Sequence, residues 1–131
     1  MEIIDVTCAI ILQSKSVLAC QRAVGSEHAY QWEFPGGKIE EGESAEESIV
    51  RELCEELNVE VKPLKQLKSV VQEYDSKIIR LIPFICEIVE GKIVANEHSL
   101  IQWQPFAEFD VLDWSQADRK LFELNREDII C

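Results

Sequence analysis

The chain has 131 residues, 47% of them hydrophobic and 29% charged, which suits one soluble globular domain over 1–131 with a real core and leaves no room for two. Its 25 acidic against 13 basic residues give a net charge of −12, and this excludes a surface built to track a nucleic-acid backbone, which needs clustered Lys and Arg. It does not exclude a small phosphorylated ligand, because metal ions can sit between two sets of negative charge.

Residues 3–12 (IIDVTCAIIL) and 17–21 (VLACQ) are β-rich runs separated by Gln13-Ser14-Lys15-Ser16, the pattern of a hairpin. A polar stretch over 22–31 leads to a turn at Phe34-Pro35-Gly36-Gly37, where backbone can approach a ligand closely. A helix follows over about 44–57, with Ser44 as N-cap and Glu47 three residues on, a capping box. Residues 64–74 and 77–89 read as a strand pair around Asp75-Ser76, the second strongly apolar (IIRLIPFICEIV). Glu90-Gly91-Lys92 should turn into a short strand, Leu100 to Gln104 adds another, and a last helix over about 115–125 starts from Ser115 with Asp118 in its first turn. This order of strands, helix, strands, helix predicts a mixed sheet with one helix on each face, an α/β/α sandwich.

The five cysteines (8, 20, 54, 86 and 131) are odd in number and form no CxxC pair or zinc spacing, so they are read as free thiols acting as small hydrophobes, Cys54 included. No secretory signal opens the sequence, and no apolar run approaches the roughly 20 residues a membrane span needs. The expectation is a reduced, cytoplasmic protein with neither membrane, nucleic-acid polymer nor obligate protein partner.

The most informative stretch is 37–59, GKIEEGESAEESIVRELCEELNV. Glu52, Glu55 and Glu56 stand at i, i+3 and i+4, within about 100° of helix surface. Like charges so close repel, and an exposed cluster of this kind gains by recruiting a cation. Hard divalent ions such as Mg²⁺ prefer carboxylate oxygens, so the cluster reads as a magnesium site, with Mn²⁺ able to replace Mg²⁺. A solvated, Glu-rich helix face is the plainer alternative. Against it, Ile49, Val50, Leu53 and Leu57 tie the opposite side of the helix to a core. Arg51 lies midway between Glu47 and Glu55 at i, i+4 spacing and can pair with either. The Gly-Gly turn lies just upstream.

The pattern Gly37-x5-Glu43-x7-Arg51-Glu52-Leu53-x-Glu55-Glu56-x-Asn58-Val59 resembles the Nudix box of the Nudix hydrolases, and Trp32-Glu33-Phe34-Pro35-Gly36-Gly37-Lys38 looks more narrowly like the MutT-type members. Weaker similarity runs from Val6 to Leu124. Asn58 departs from the usual glycine, but asparagine is the next best residue for a left-handed C′ position. The resemblance implies the same α/β/α fold and hydrolysis of a nucleoside triphosphate to the monophosphate and pyrophosphate. It implies Glu52, Glu55 and Glu56 as metal ligands, Glu56 foremost, with the Gly36 carbonyl contributing. Glu52 would be the general base, and Arg51 would orient Glu52 or Glu55 without touching substrate.

Glu97, in Asn96-Glu97-His98-Ser99-Leu100-Ile101-Gln102-Trp103, matches a loop glutamate that reaches the metals from outside the box; an exposed loop carboxylate is the alternative. His98 is read as a hydrogen-bonded loop histidine. The resemblance places Arg22 and Lys38 against phosphate or sugar, Gly37 beside them, and Phe34, Tyr74 and Lys77 in the base pocket. Asp118 corresponds to the residue that reads the base. An ionised aspartate only accepts hydrogen bonds, which suits cytosine N4 or the N1/N2 edge of guanine, while a first-turn aspartate favoured by the helix dipole needs no such role. Trp32, Trp103 and Trp114 are read as packing residues. The expected substrate is thus an oxidised guanine or a cytidine nucleotide. Other Nudix substrates (ADP-ribose, a dinucleotide, a diadenosine polyphosphate) and a binding-only module are the alternatives, the last disfavoured because no box glutamate is lost.

Overall fold

The computed structural model describes residues 2–130, the side chain of Ser99 excepted. Strands β1 (Ile3–Gln13), β2 (Ser16–Arg22), β3 (Trp32–Glu33) and β4 (Gly36–Lys38) precede helix α1 (Ala45–Leu57). Strands β5 (Glu60–Gln66), β6 (Val70–Tyr74), β7 (Lys77–Glu90) and β8 (His98–Pro105) follow, and a 3₁₀ turn over Phe106–Val111 leads to α2 (Gln116–Leu124) and α3 (Arg126–Ile130). The sheet is mixed, as expected. Its spine runs β3-β2-β1-β7-β5, with β8 beside β2, β4 beside β1 and β6 beside β7. β1 and β7 are parallel and the other pairings antiparallel.

Alternation along the two central strands explains both helix layers. Cys8, Ile10, Val17 and Ala19 point to one face, where Ala117, Leu121 and Phe122 of α2 pack. Ala9, Ile11, Leu18 and Cys20 point to the other, where Ile49, Leu53 and Leu57 of α1 pack. The period of two in the strands thus builds two cores from one sequence run. Leu53 is wholly buried, so its truncation to alanine should cost about 2–5 kcal/mol.

Three sequence expectations are corrected. Residues 64–74 are not one strand. β5 begins at Glu60 and ends at Gln66, with Pro63 tolerated because β5 is the outer strand against β7, and β6 starts afresh at Val70. The segment after Gly91 forms no strand. Instead Val94 N–H donates to the Leu57 carbonyl, Asn96 N–H to that of Glu56 and Asn96 Nδ2 to that of Glu55. These are carbonyls that the C-terminal turn of α1 leaves without intrahelical partners, and capping them outweighs strand pairing. The final helix ends where expected, at Leu124 with Asn125 as C-cap; the buried Asn125 amide bonds the Lys68 backbone through both its oxygen and its nitrogen, and the short α3 follows. Cys54 is exposed and not packed, whereas Cys8, Cys20 and Cys86 are buried as free thiols; Cys131 lies outside the described residues.

Candidate active site

Helix α1 is held in place at both ends. Ser44 Oγ accepts from Glu47 N–H at 3.1 Å and Glu47 Oε1 accepts from Ser44 N–H at 2.8 Å, so the capping box forms as read from sequence. Asn58 takes the left-handed conformation, φ 60° and ψ 34°. Because Glu47 is spent on the cap, it is not the partner of Arg51; that expectation is corrected. Arg51 forks onto Glu43 at 2.7 and 3.0 Å and reaches Glu52 at 3.0 Å, Glu55 at 3.2 Å and the Lys38 carbonyl at 3.2 Å. The guanidinium holds the Glu43 carboxyl down to about 2, chiefly by that hydrogen bond. Glu43, a box residue given no role from sequence, is therefore the main anchor of Arg51.

The three box glutamates do not share one exposed surface. Glu55 is exposed and Glu52 half-hidden, with 55% and 15% of their side chains open to solvent. Glu56 is buried, and its Oε2 makes no hydrogen bond. Burial, followed by the charges of Glu52, Glu33 and Glu97, pushes the Glu56 carboxyl far above the usual carboxylate range.

The turn expected at Phe34–Gly37 is a bend at Pro35 that runs straight into β4 at Gly36. Ala9 N–H donates to the Pro35 carbonyl at 2.8 Å, and β4 pairs Gly36 with Cys8, Gly37 with Thr7 and Lys38 with Val6. The approach is so close that a Cβ on Gly36 would lie 1.9 Å from the Thr7 carbonyl oxygen, and one on Gly37 would lie 2.4 Å from Cδ of Glu52. Two glycines in succession thus let β4 lie on β1 and let Glu52 tuck beneath Gly37.

These elements enclose a cleft of about 390 Å³. Every residue placed against substrate from sequence lines it: Arg22, Phe34, Gly36, Gly37, Lys38, Tyr74, Lys77 and Asp118. Glu56 and Glu97 join them, whereas Arg51, Glu52 and Glu55 do not line it. Phe34 serves core and cleft at once, lying 4.9 Å from the Trp114 ring. Arg22 is already paired, donating to Glu33 at 2.7 Å and to the Glu27 carbonyl at 2.8 Å. Lys77 lies 3.8 Å from Glu27, on the loop that lines the same cleft.

Asp118 is buried against the floor. Its Oδ1 accepts from Phe34 N–H at 2.9 Å and its Oδ2 accepts a very short bond from Ser115 Oγ. Trp32 backbone bonds to residues 113 and 115 bring the start of α2 to this position. Burial, with Glu33 adding, raises the Asp118 carboxyl to about 7. Both oxygens serve as acceptors for the protein's own donors.

Sequence reasoning also assigned no role to Glu33, whose Oε1 accepts from Arg22 and whose Oε2 faces His98 Nε2 at 3.0 Å. One signal was legible: an acid between Trp32 and Phe34, both buried, points to the opposite face of the strand from the aromatics.

The fit to a divalent cation rests on Glu56. Among the described residues no three His, Cys, Asp or Glu side chains already enclose an ion position. Yet a buried carboxylate oxygen without a partner, crowded by Glu52, Glu33 and Glu97, is the electrostatic condition a hard cation relieves.

Comparison with known proteins decides the family. The family model for the NUDIX domain matches residues 2–124. The chain belongs to the NUDIX family. Over 103 residues this NUDIX chain is 37% identical to the CTP pyrophosphohydrolase of Escherichia coli K12, covering 79% of itself and 76% of that protein. It is 33% identical over 115 residues to the putative 8-oxo-dGTP diphosphatase 2 of Mycobacterium tuberculosis H37Rv, covering 87% and 82%. The solution structure of the E. coli ORF135 protein matches with a TM-score of 0.83 at 33% identity, over 97% of this chain and 91% of that one. No helix among the described residues is long and apolar enough to cross a membrane.

Proposed function

We propose that this NUDIX chain hydrolyses a nucleoside triphosphate to the monophosphate and pyrophosphate, with a cytidine or an oxidised guanine nucleotide as substrate. The observation that carries the reading is the set of residues gathered in one cleft. Glu56, crowded by Glu52, Glu33 and Glu97, shares it with Arg22, Lys38 and Lys77 and with Phe34, Tyr74 and Asp118, the last three meeting at the start of α2 where Asp118 accepts from Phe34 N–H and Tyr74 Oη accepts from Ala117 N–H. That lining supplies carboxylates for a cation, cations for a polyphosphate and aromatic walls for a base. The two relatives' names carry the same two bases.

Glu56, Glu52, Glu55 and Glu97, with the Gly36 carbonyl, would hold Mg²⁺, which when bound neutralises phosphate oxygens and lowers the pKa of a bound water. Glu52 accepts the proton of the attacking water, and Arg51 keeps its carboxylate turned toward Gly37. Water adds to a phosphorus of the α–β anhydride, the bridging P–O bond breaks, and pyrophosphate and monophosphate leave. Arg22 and Lys38 steady the phosphates as a fork and a point charge respectively. Phe34 and Tyr74 supply the apolar walls for the base, whose polar edge faces Asp118.

The test is a substrate panel in Mg²⁺, scored for pyrophosphate and monophosphate: CTP, dCTP, 8-oxo-dGTP, dGTP, dTTP, ADP-ribose and diadenosine tetraphosphate. Pyrophosphate from CTP, dCTP or 8-oxo-dGTP well above dTTP is expected. Cleavage of ADP-ribose or diadenosine tetraphosphate without pyrophosphate release from any triphosphate overturns the proposal.

A further inference from the structure

His98 faces two carboxylates of the cleft from different elements, Glu33 on β3 and Glu56 on α1, and the strand register shows how it gets there. β8 pairs with β2 as Leu100 with Gln21 and then His98 with Arg22, so the register shifts by one residue between them. Leu100 is 54% exposed, and strict alternation would turn His98 out to solvent with it. The shift re-aims the strand, and the His98 side chain is instead only 4% exposed. Asn96, bonded to the last turn of α1 through N–H and Nδ2, fixes the chain two residues before it.

The buried imidazole turns Nε2 toward two carboxylates, Glu33 Oε2 at 3.0 Å and Glu56 Oε1 at 3.7 Å. Its Nδ1 is buried without a partner. A buried polar atom left unsatisfied is destabilising by about 1–3 kcal/mol, so packing alone gives no reason for a histidine here. Glu33 in turn gives its other oxygen to Arg22 at 2.7 Å.

We propose that His98 is a positioning residue: through Glu33 it ties Arg22, on the phosphate side, to Glu56, on the cation side. Nε2 stands on the Oε1 side of Glu56, whose Oε2 is without a partner among the described residues. Glu33 is the shared acceptor that keeps Arg22 and His98 in step. The inference rests on the hydrolase reading for its kinetic half and on the carboxylate cluster alone for its metal half.

The experiment counts bound Mn²⁺ by electron paramagnetic resonance in the absence of nucleotide, then measures kcat and KM on the best triphosphate of the panel. His98→Ala should weaken Mn²⁺ binding about tenfold, the usual effect of removing a partner behind a metal ligand, and raise KM through Arg22. His98→Gln, whose amide nitrogen can reach the place of Nε2, should restore both to within about threefold. Glu33→Gln keeps the size of the side chain but weakens the shared acceptor, so it should loosen Mn²⁺ and nucleotide together even if His98→Ala fails to fold. Native Mn²⁺ affinity in folded His98→Ala or in Glu33→Gln overturns the proposal, as does a glutamine variant as impaired as the alanine one. Weakened Mn²⁺ binding in a protein that cleaves no triphosphate would sink the hydrolase reading and leave the metal half standing.

Discussion

Replacing Glu56 with glutamine should move stability and activity in opposite directions. Without a cation, the buried Glu56 carboxyl is held above neutrality by burial and by Glu52, Glu33 and Glu97. The unfolded chain ionises this group at its ordinary 4.5, so at pH 7 folding must keep a proton that the unfolded state gives up. One pKa unit is worth about 1.4 kcal/mol, so the penalty at pH 7 is limited by the interval from 4.5 to 7 and comes to about 3 kcal/mol. Glu56→Gln removes it, and for a chain of this size that recovers up to about 10 °C in Tm. The same change deletes a proposed metal ligand, so pyrophosphate release should fall by two or more orders of magnitude. The assay is thermal unfolding in EDTA and in excess Mg²⁺, alongside turnover. Wild type should gain stability from Mg²⁺ and the variant should gain little. A variant less stable than wild type in EDTA, with an unchanged Mg²⁺ response and rate, would refute the reasoning.

Arg51→Lys keeps the charge but loses the planar fork that spans Glu43, Glu52 and Glu55; kcat should fall about 10–100-fold with KM nearly unchanged, and a change confined to KM would point to direct phosphate contact. Gly36→Ala and Gly37→Ala should separate: the first drives a Cβ into the Thr7 carbonyl and destabilises β4 on β1, while the second meets only the movable end of Glu52 and should reduce kcat with little change in Tm. Asp118 binds its proton more tightly folded than unfolded, at about 7 against 3.8, so its contribution is most favourable below pH 4 and is lost as pH rises to 7. Asp118→Asn removes that slope, and chemical denaturation should show the variant gaining about 3 kcal/mol on wild type between pH 4 and 7; parallel curves would contradict the assignment. The same variant should lower kcat/KM for the preferred nucleotide while sparing dTTP.

The two helix layers and the hairpin of β1 and β2 were legible because alternation and capping are local rules. Ser44 with Glu47, Asn58, and the opposed sets Cys8/Ile10 and Ala9/Ile11 each carry their structure within a few residues. The cleft was legible only through motif resemblance, since Arg22, Tyr74 and Asp118 come from three distant elements. What escaped was decided by competition between partners. Glu47 could pair with Arg51 by spacing, but the helix cap claims it first and Glu43 takes the guanidinium. Residues after Gly91 have strand-like composition, but the open carbonyls of α1 claim them. Exposure escaped as well. Helix spacing places Glu52, Glu55 and Glu56 on one side but does not reveal that only Glu56 is buried, which depends on β8 closing over it.

The strip from Glu33 to Lys38 joins the parts of the cleft mechanically. Glu33 is fastened to Arg22 and His98, Phe34 N–H to Asp118, Pro35 to Ala9, and Gly36 to Lys38 along β1. Successive residues thus hold the phosphate wall, the base floor and the backbone over Glu52, and none can shift without pulling the next. Tyr74 and Lys77 sit apart on the hairpin of β6 and β7, outside that strip. Changes in the two places should therefore differ in kind. Phe34→Leu, which loosens the packing on Trp114, should lower kcat and raise KM together, because the displaced strip carries Gly36 and Gly37 with it. Lys77→Ala should raise KM several-fold and leave kcat near that of wild type, because it removes binding that ground state and transition state share. Steady-state kinetics on the preferred triphosphate distinguishes the two. A Phe34→Leu variant altered in KM alone would show that the base wall moves independently of the metal end, and the idea of a single rigid strip would have to be abandoned.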